Sequence, residues 1–411
     1  MKTVTKAYKF RLQPTSRQHV LLASMMSAHC ELYNAALQER RDAYKTRGIS
    51  VRATGQMAQL TAIRQTRPDH AVWSFTSQQQ TLRRLDKTFQ AFFRRVKNGE
   101  TPGYPRFRAQ SRFDSVDFRH GDGIKFDPTV RLRRMGRRTE ARVRVQGIGT
   151  IRVNLHRNLP EATIGQITIK REGTGKRTRW FVVLPLTVEA VILPLTGAVV
   201  GLDMATGDNG LAYTSDGYRI ENPQFLKRNA TNLAQAQREL AAKKRGSTRR
   251  KHAVAKVARL HGKVRRSRLD HHHKVTTSLI ASHDLIAVEG LNTANMTRRV
   301  KPIPDPDNAG QYLPNGAAAK TGLNKSINDS GWGIFLNLLT VKAESAGRNV
   351  IVVNPRNTSR TCYTCGHIDV GNRNGKHFTC LTCGHHDDAD INAAKNILRA
   401  GLALHESAPA A

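Results

Sequence analysis

Four cysteines towards the carboxyl-terminal end of the chain have the spacing of a metal site. They form two CxxC pairs, each followed by glycine, with a 14-residue spacer between the pairs: Cys362, Cys365, Cys380 and Cys383. Four thiolates complete the tetrahedron that a structural Zn²⁺ ion prefers and leave no open position for a substrate. We therefore predict one structural zinc ion that folds this segment. The alternative is four free or redox-active thiols.

Three carboxylates form a second group with chemical potential. Asp203 ends the apolar run AVVGLD, Glu289 lies at the end of the run LIAVEG, and Asp390 precedes the helix-like INAAKNIL. Acids at strand ends of an α/β sheet emerge beside the loops. There they can hold two Mg²⁺ or Mn²⁺ ions about 4 Å apart, which suits phosphodiester hydrolysis. The alternative is structural: strand-end acids often form turns, and Asp390 could be the N-cap of the last helix.

The charge of the chain indicates a polyanionic partner. Its 411 residues include 67 Lys and Arg against 31 Asp and Glu, which gives a net charge of +36. An excess of this size favours nucleic acid as the partner, and a ribosome-like or membrane-surface protein is the alternative. Twelve basic residues and no acid lie in the segment 243–268, which is predicted to be helical.

The cysteines and the first residues indicate a cytoplasmic protein, which we expect to associate with the nucleoid. Four of the five cysteines crowd into the paired cluster, which is not the pattern of a disulfide framework, and Cys30 is expected in a core. The start MKTVTKAYKFRL lacks the apolar segment of a secretory signal. The apolar segment 181–202 contains Pro185, Glu189 and Pro194, so that we predict strands there and not a membrane span.

Hydrophobic periodicity predicts the elements that position these residues. A strand at 8–14 precedes a helix with the capping-box pattern of Thr15 and Gln18, and a single apolar stripe runs along a helix at 82–96. Alternating runs predict a small antiparallel β-barrel or sandwich, and three apolar runs later in the chain predict an α/β sheet. The alternating runs are 141–147, 149–154, 166–172 and 179–186, and the apolar runs are 198–203, 285–290 and 349–355.

Taken in order, the motifs GLD, VEG, the two CxxC pairs and DADINAAKNI resemble the TnpB proteins of insertion sequences. YKFRLQP, GYPRFR, KTGLNKSINDSGW and VNPRNTSRTCYTCG extend this resemblance over nearly the whole chain. TnpB proteins are related to the type V CRISPR nucleases and share their RuvC, RNase H-like core. The resemblance implies an RNA-guided DNA endonuclease. Its guide RNA would derive from the end of the mobile element, and its double-stranded DNA target would carry a short flanking motif.

The resemblance also assigns roles to residues. Asp203, Glu289 and Asp390 become a catalytic triad that holds Mg²⁺ or Mn²⁺, whereas Asp388 matches an acid that is not expected to bind metal. The basic segment 243–268 would contact the guide RNA and its heteroduplex through phosphates. One departure is Ala205, where the family usually has glycine, in a turn about two residues longer. This turn favours the alternative of a cleavage-deficient RNA-guided DNA-binding repressor; a strand-transferring DDE transposase is a third hypothesis.

The implied fold class is α/β plus β. It consists of a small β-barrel (wedge) with an inserted helical bundle, followed by an RNase H-like RuvC nuclease domain with an inserted zinc ribbon. The predicted boundaries are 1–14 and 101–190 for the wedge, 15–100 for the helical insertion, 191–356 for the RuvC core with a basic helical insertion at 222–275, 357–386 for the zinc ribbon, 387–400 for the last RuvC segment and 401–411 for a disordered tail.

Smaller features are given structural interpretations. The three consecutive histidines at 271–273 are predicted to form a polar surface tract, because neighbouring helix residues face different sides. Tyr104 and Phe107, in GYPRFR, are expected to pack locally rather than to stack on bases, whereas Arg106 and Arg108 are candidates for phosphate contact.

Overall fold

The computed structural model describes residues 2–132, 139–173, 175, 178–206, 210–308 and 310–407, and only the backbone of residues 129–132, 139 and 140. The chain forms two compact units, Met1–Glu189 and Ala190–Ala411. Within the described ranges, no helix combines the length and the apolar character needed to cross a membrane.

The first unit combines an antiparallel sheet with a helical insertion. Its elements are β1 (Thr3–Gln13), α1 (Ser16–Arg47), α2 (Ala53–Ala58), α3 (Leu60–Thr66), α4 (Pro68–Ala71), α5 (Phe75–Lys97), β2 (Ser115–Phe118), β3 (Ile124–Leu132), β4 (Thr139–Val145), β5 (Gly149–Leu155), β6 (Thr163–Ile164), β7 (Ile167–Glu172) and β8 (Arg179–Glu189). The strand order is β2-β7-β8-β1-β5-β4-β3, and β6 pairs with β8. The first strand therefore joins strands that follow the helices. In the described part of the chain β2 and β3 do not pair with each other, so closure into a barrel stays a prediction.

The ends of α1 follow from its sequence. The Gln18 backbone N–H donates to Thr15 Oγ1 at 3.3 Å, and the Thr15 N–H donates to Gln18 Oε1 at 3.0 Å, which confirms the predicted capping box. At its other end the helix stops at Gly48, whose φ of 65° suits a residue without a side chain. Cys30, on this helix, is buried as predicted.

The apolar stripe of α5 is buried over only part of its length. Leu82, Leu85 and Phe89 pack in the core of the first unit, but Phe93 is 58% exposed and Val96 is 50% exposed. The predicted helix over 82–96 is confirmed, but its apolar stripe enters the core only as far as Phe89, and beyond it Phe92 is half-buried against Tyr104.

The second unit is built on a five-stranded mixed sheet in the order β11-β10-β9-β12-β15. Its elements are β9 (Val199–Met204), β10 (Gly210–Thr214), β11 (Arg219–Glu221), α6 (Phe225–Arg228), α7 (Ala230–Ala241), α8 (Thr248–Ser282), β12 (Leu285–Glu289), α9 (Thr293–Met296), β13 (Ile303–Pro304), β14 (Tyr312–Leu313), α10 (Ala317–Ser330), α11 (Trp332–Ala346), β15 (Asn349–Val353), β16 (Arg373–Asn374), β17 (His377–Thr379), β18 (His386–Asp388) and α12 (Ala389–Glu406). Strand β12 lies parallel to both β9 and β15, whereas β10 is antiparallel to β9.

Both faces of this sheet are covered by helices. In β12, Ile286 and Val288 belong to a core that includes residues of α8 and α11, whereas Leu285 and Ala287 pack with Ile397 of α12. The alternation follows from the two-residue period of a strand. Helix α12 approaches β9 closely, because a side chain at Gly201 would overlap the Ala394 carbonyl oxygen.

Two predictions for the second unit need correction. Helix α12 continues to Glu406, so the disordered tail predicted at 401–411 is wrong for 401–406, and 408–411 lie outside the described residues. Helix α8, which carries most of the basic residues, runs on to Ser282. The prediction that the histidines at 271–273 form a polar surface tract is wrong for His272. This residue is buried and packs edge-on against Phe335, with ring centroids 5.5 Å apart.

Candidate active site and cysteine cluster

Two of the predicted carboxylates lie on neighbouring parallel strands. Leu202 of β9 is paired in register with Val288 of β12, so the next residues, Asp203 and Glu289, follow side by side along the two strands. The carboxyl ends of parallel strands are where functional side chains leave a sheet. The sheet therefore brings together two acids that are 86 residues apart in sequence.

The segment that follows β15 contacts the Glu289 carboxylate. The Thr358 hydroxyl donates a hydrogen bond to Glu289 Oε1. Burial raises the pKa of Glu289, and this hydrogen bond lowers it in part, because it favours the charged form. The carboxylate is only 8% exposed, so its orientation is fixed by packing as well as by Thr358.

Asp390 lies in the first turn of α12 and is not the N-cap. Asp388 is the N-cap: its Oδ1 accepts hydrogen bonds from the backbone N–H groups of Asp390, at 2.8 Å, and of Ile391, at 3.3 Å. The alternative that Asp390 is merely a cap is therefore wrong. Its carboxylate instead contacts two cations, with Arg373 Nη2 2.8 Å from Oδ1 and Lys376 Nζ 2.6 Å from Oδ2.

The three carboxylates interact electrostatically. Burial raises the pKa of Asp203 well above its ordinary value, and the negative charges of Glu289 and Asp390 raise it further, whereas Arg373 and Lys376 lower it. Burial disfavours the Lys376 ammonium, but hydrogen bonds to Asp390 and to the Tyr213 hydroxyl outweigh this and raise its pKa. The structure thus combines three acids and two cations in one site.

Hard oxygen donors that repel one another fit a divalent cation, because a cation relieves the repulsion that burial strengthens. The carboxylates are not gathered around a single point. Among the described residues, the four cysteines are the one group whose potential ligand atoms all lie within 4.8 Å of one another.

The turn after Asp203, singled out in the sequence, is described at its base. Ala205 is buried; its N–H donates to the Leu211 carbonyl at 3.0 Å, and its own carbonyl accepts from Trp332 Nε1 at 3.2 Å. Residues 207–209, which carry most of the altered TGDN sequence, lie outside the described residues. The residue two positions after Asp203 is therefore held by two hydrogen bonds, although it is alanine and not glycine.

The four cysteines converge as the spacing predicted. Cys362 Sγ lies 3.7 Å from Cys383 Sγ, and Cys365 Sγ lies 3.5 Å from Cys380 Sγ. The two CxxC turns repeat one geometry, because the glycine after each pair donates its N–H to the carbonyl of the first cysteine. Backbone N–H donation from Cys383 lowers the pKa of the Cys380 thiol to about 6. Four sulfur ligands in such a cluster fit a tetrahedral Zn²⁺ ion.

The hairpin between the two cysteine pairs supplies the cations that contact Asp390. Arg373 is on β16 and Lys376 is in the turn before β17, and β18 leads directly into α12. Sequence reasoning assigned neither residue. The available signal was two basic residues, three positions apart, in the spacer between the cysteine pairs. Only the fold shows that these residues face Asp390.

Helix α12 is fastened to the first cysteine turn by two asparagines that sequence reasoning also missed. Asn392 accepts from the Tyr363 N–H at 3.0 Å and donates to the Thr361 carbonyl at 2.9 Å. Asn396 donates to the carbonyls of Thr361, at 2.7 Å, and Thr358, at 3.1 Å. Their i, i+4 spacing places them on one face of the helix, which was the available signal.

The basic segment 243–268 begins in the turn after α7 and continues through the first 21 residues of α8. Most of its Lys and Arg side chains are exposed or half-exposed. Arg268 is different: it is largely buried and pairs with Asp329 at 2.8 Å. The exposed residues of the segment form a cationic surface, whereas Arg268 has a structural partner.

Models of known protein families match three parts of the chain. Three family models match: "Cas12f1-like, TNB domain" over residues 332–397, "Probable transposase" over 186–300 and "Helix-turn-helix domain" over 1–48. The first covers the cysteine cluster and Asp390, and the second covers Asp203 and Glu289. Over 1–48 the structure has one strand and one long helix, β1 and α1, and not a helix-turn-helix.

Curated relatives cover almost the whole chain. A Streptomyces pristinaespiralis protein named as an RNA-guided DNA endonuclease is 30% identical over 98% of this chain and 91% of its own length. The RNA-guided DNA endonuclease InsQ of Escherichia coli K12 is 30% identical over 97% of this chain and 93% of its own. Among solved structures, the Cas12f1-sgRNA-target DNA complex matches with a TM-score of 0.59 at 13% identity, covering 96% of this chain and 98% of that one. That likeness shows a shared fold.

Proposed function

The chain belongs to the TnpB family of insertion-sequence proteins, and from this membership we propose that it is an RNA-guided DNA endonuclease. The reaction is the hydrolysis of phosphodiester bonds in double-stranded DNA. The observation that carries the proposal is the meeting of Asp203, Glu289 and Asp390 in one buried site within a strongly basic chain. Such a set of acids is suited to binding Mg²⁺ or Mn²⁺ beside a phosphate.

We assign the second unit to a RuvC-like, RNase H-like core. Support comes from its mixed sheet, in which β9 and β12 are parallel, β10 turns back beside β9, and α12 returns the last acid to the same end. The first unit, with its antiparallel sheet and inserted helices, is the candidate wedge and recognition region. Within the second unit the cysteine hairpin is the candidate zinc ribbon.

In this mechanism Asp203, Glu289 and Asp390 hold two divalent ions. The chemistry that such ions supply is the activation of water and the neutralisation of charge on the phosphate. Thr358 keeps Glu289 oriented, and Asp388 fixes the first turn of α12, from which Asp390 projects. Arg373 and Lys376 compensate the negative charge of Asp390 and place two cations at the site that receives the phosphate.

We propose that the cysteine cluster holds one structural Zn²⁺. All four ligand positions are thiols, so the ion has no open position for a substrate. Its task is to fold the hairpin that presents Arg373 and Lys376 to Asp390. This accounts for a cysteine cluster directly before the last acid: the zinc-bound hairpin and α12 form one positioning device.

The proposed partners are a guide RNA, derived from the end of the mobile element, and a target duplex with a short flanking motif. The net charge of +36 and the exposed cations of 243–268 support binding to phosphates. In such systems base pairing with the guide reads the target sequence, and the protein reads the flanking motif.

Co-expression tests the proposed function. The protein is produced together with the DNA that flanks its gene, purified with the RNA that it retains, and given a matching duplex with a randomised flank. Mg²⁺-dependent cutting beside one flanking motif, abolished by EDTA, supports the proposal. Guide-matched binding without cutting would instead support the repressor, the alternative that the altered turn around Ala205 favours.

A further inference from the structure

A cavity of about 650 Å³ lies in the helical part of the first unit, and its lining includes neither the three carboxylates nor a cysteine. Its walls come from the end of α1, the segment 50–54, the second half of α5 and the loop that contains Tyr104. Aromatic rings dominate these walls: Tyr44, Phe89, Phe92, Phe93 and Tyr104. Nothing in the proposed cleavage reaction uses this cavity.

The aromatic rings extend from the core to the surface, because Phe89 is buried whereas Phe93 and Tyr44 are exposed. Tyr104 meets Phe92 and Phe89 edge-on, with ring centroids 5.4 Å and 5.8 Å apart. Phe93 remains 58% exposed and Tyr44 69% exposed. Exposed rings beside an apolar cavity offer flat surfaces on which a planar ligand can stack.

The polar groups of the cavity restrict the chemistry of the ligand. Arg40, which is 7% exposed, donates to Gln56 Oε1 at 2.9 Å and to Asp86 Oδ1 at 3.0 Å, and its guanidinium lies over the Phe89 ring. Its Nη2 is buried and has no hydrogen-bond partner among the described residues. A ligand acceptor that reached Nη2 would supply the hydrogen bond that this buried donor lacks.

Asp86 completes the pattern. Its side chain is 30% exposed; Oδ1 accepts from Arg40 and Oδ2 accepts from Gln90 Nε2 at 2.8 Å, and each oxygen keeps a lone pair for a ligand donor. A donor next to an acceptor matches the edge of a nucleobase, which offers the complementary pair. The two arginines of the lining, Arg40 and Arg52, disfavour a cationic ligand, although aromatic rings alone would accept one.

We propose that this cavity binds one unpaired purine base of a bound single strand, stacked on Phe93 and Tyr44, with its polar edge facing Arg40 and Asp86. The inference rests on the proposed function in so far as that function brings a single-stranded nucleic acid to the protein. A purine is favoured over a pyrimidine because its larger ring covers more aromatic surface. The base is bound for its shape and edge, and no chemistry is done on it.

Photo-crosslinking tests this site. The full-length protein, free of RNA, is mixed with a uridine 12-mer that carries one central 6-thioguanosine, or one central 4-thiouridine for comparison. After irradiation, the adducts are mapped by mass spectrometry. We expect the segments 40–54 and 86–104 to hold a severalfold larger share of all purine adducts than of all pyrimidine adducts, because the larger purine covers more of the aromatic surface.

Matched variants make the test specific. Phe93→Ala and Tyr44→Ala remove exposed rings that line the cavity, so folding is spared, and each should reduce the purine adducts severalfold. Phe107→Ala removes another exposed ring, which does not line the cavity, and it should leave the adducts unchanged.

Three results would overturn the inference. Adducts confined to other segments would place the base elsewhere, and equal loss in Phe107→Ala would make the cavity rings unspecific contacts. Adducts formed in the cavity by free 6-thioguanosine monophosphate, but not by the 12-mer, would mean that the occupant is a free nucleotide. If the protein cuts guide-matched DNA but the adducts form outside the cavity, this site alone is refuted. If the protein neither retains RNA nor cuts DNA, the proposed function is refuted.

Discussion

Lys376, on the hairpin between the two cysteine pairs, places its ammonium 2.6 Å from Asp390 Oδ2 in the first turn of the last helix. Arg373 contacts the other oxygen of the same carboxylate. Both oxygens of a proposed metal ligand are therefore paired with cations from the cysteine hairpin. The cations stabilise a buried acid and also compete with any metal ion for it.

The competition at Asp390 gives the first prediction. Lys376→Met removes the ammonium, so Mn²⁺ should bind the site more tightly, by about threefold to tenfold, which corresponds to about 1 kcal/mol for a partly exposed ion pair. Isothermal titration of Mn²⁺ measures the change. Lys395→Met is the matched control, because Lys395 pairs with Asp387, outside the triad. Weaker or unchanged Mn²⁺ binding in Lys376→Met would contradict the competition.

The cysteine cluster gives the second prediction. Cys380→Ser should lower both the zinc content and the yield of folded protein, because the other three thiols cannot complete the tetrahedron. Metal analysis of the purified protein, together with thermal unfolding, measures both effects. Cys30→Ser, in the first unit, should keep one zinc per chain. A full equivalent of zinc in Cys380→Ser would exclude a four-cysteine site.

The asparagines of α12 give the third prediction. Asn396→Ala leaves the carbonyls of Thr358 and Thr361 with fewer donors, which should lower the free energy of unfolding by about 1–3 kcal/mol. Urea unfolding measures it. In the exposed control Asn328→Ala, only a local bond to the Asn324 carbonyl is lost, so little change is expected. Equal effects in the two variants would mean that the fastening of α12 to the cysteine turn is unimportant.

Buried His29 gives the fourth prediction. Burial lowers its pKa to about 4, although its hydrogen bond to the Met25 carbonyl raises the pKa in part. Between pH 4 and 6.5 this histidine is therefore protonated more readily in the unfolded chain than in the folded protein. Stability should therefore be complete above pH 6.5 and decline as the pH falls towards 4, by up to about 3 kcal/mol. Urea unfolding across this range should show a shallower pH dependence in His29→Gln than in the wild type. An exposed control, His405→Gln, should keep the wild-type slope; identical slopes in all three proteins would contradict this account.

The sequence predicted features that depend on local spacing. The CxxC pairs could be recognised because four thiols at that spacing have few other structural roles, and the Thr15 capping box because it involves only neighbouring residues. The sequence could not show that Arg373 and Lys376 face Asp390, since that contact depends on how the hairpin folds back on α12. Burial was predicted least well: Phe93 is exposed and His272 buried because tertiary packing, not periodicity, determines which helix face is covered.

The central claim is that the RNA-loaded protein cuts DNA with an active site formed by Asp203, Glu289 and Asp390. The most direct test compares cleavage of a guide-matched duplex in Mg²⁺ by the wild-type complex, by Asp390→Ala and by the neighbouring control Asp387→Ala, with the RNA content measured for each. The wild type and the control should cut, whereas Asp390→Ala should keep its RNA and its target binding but lose cutting by about 100-fold or more. Cutting by Asp390→Ala at the wild-type rate, with the same RNA bound, would contradict the assignment of this site.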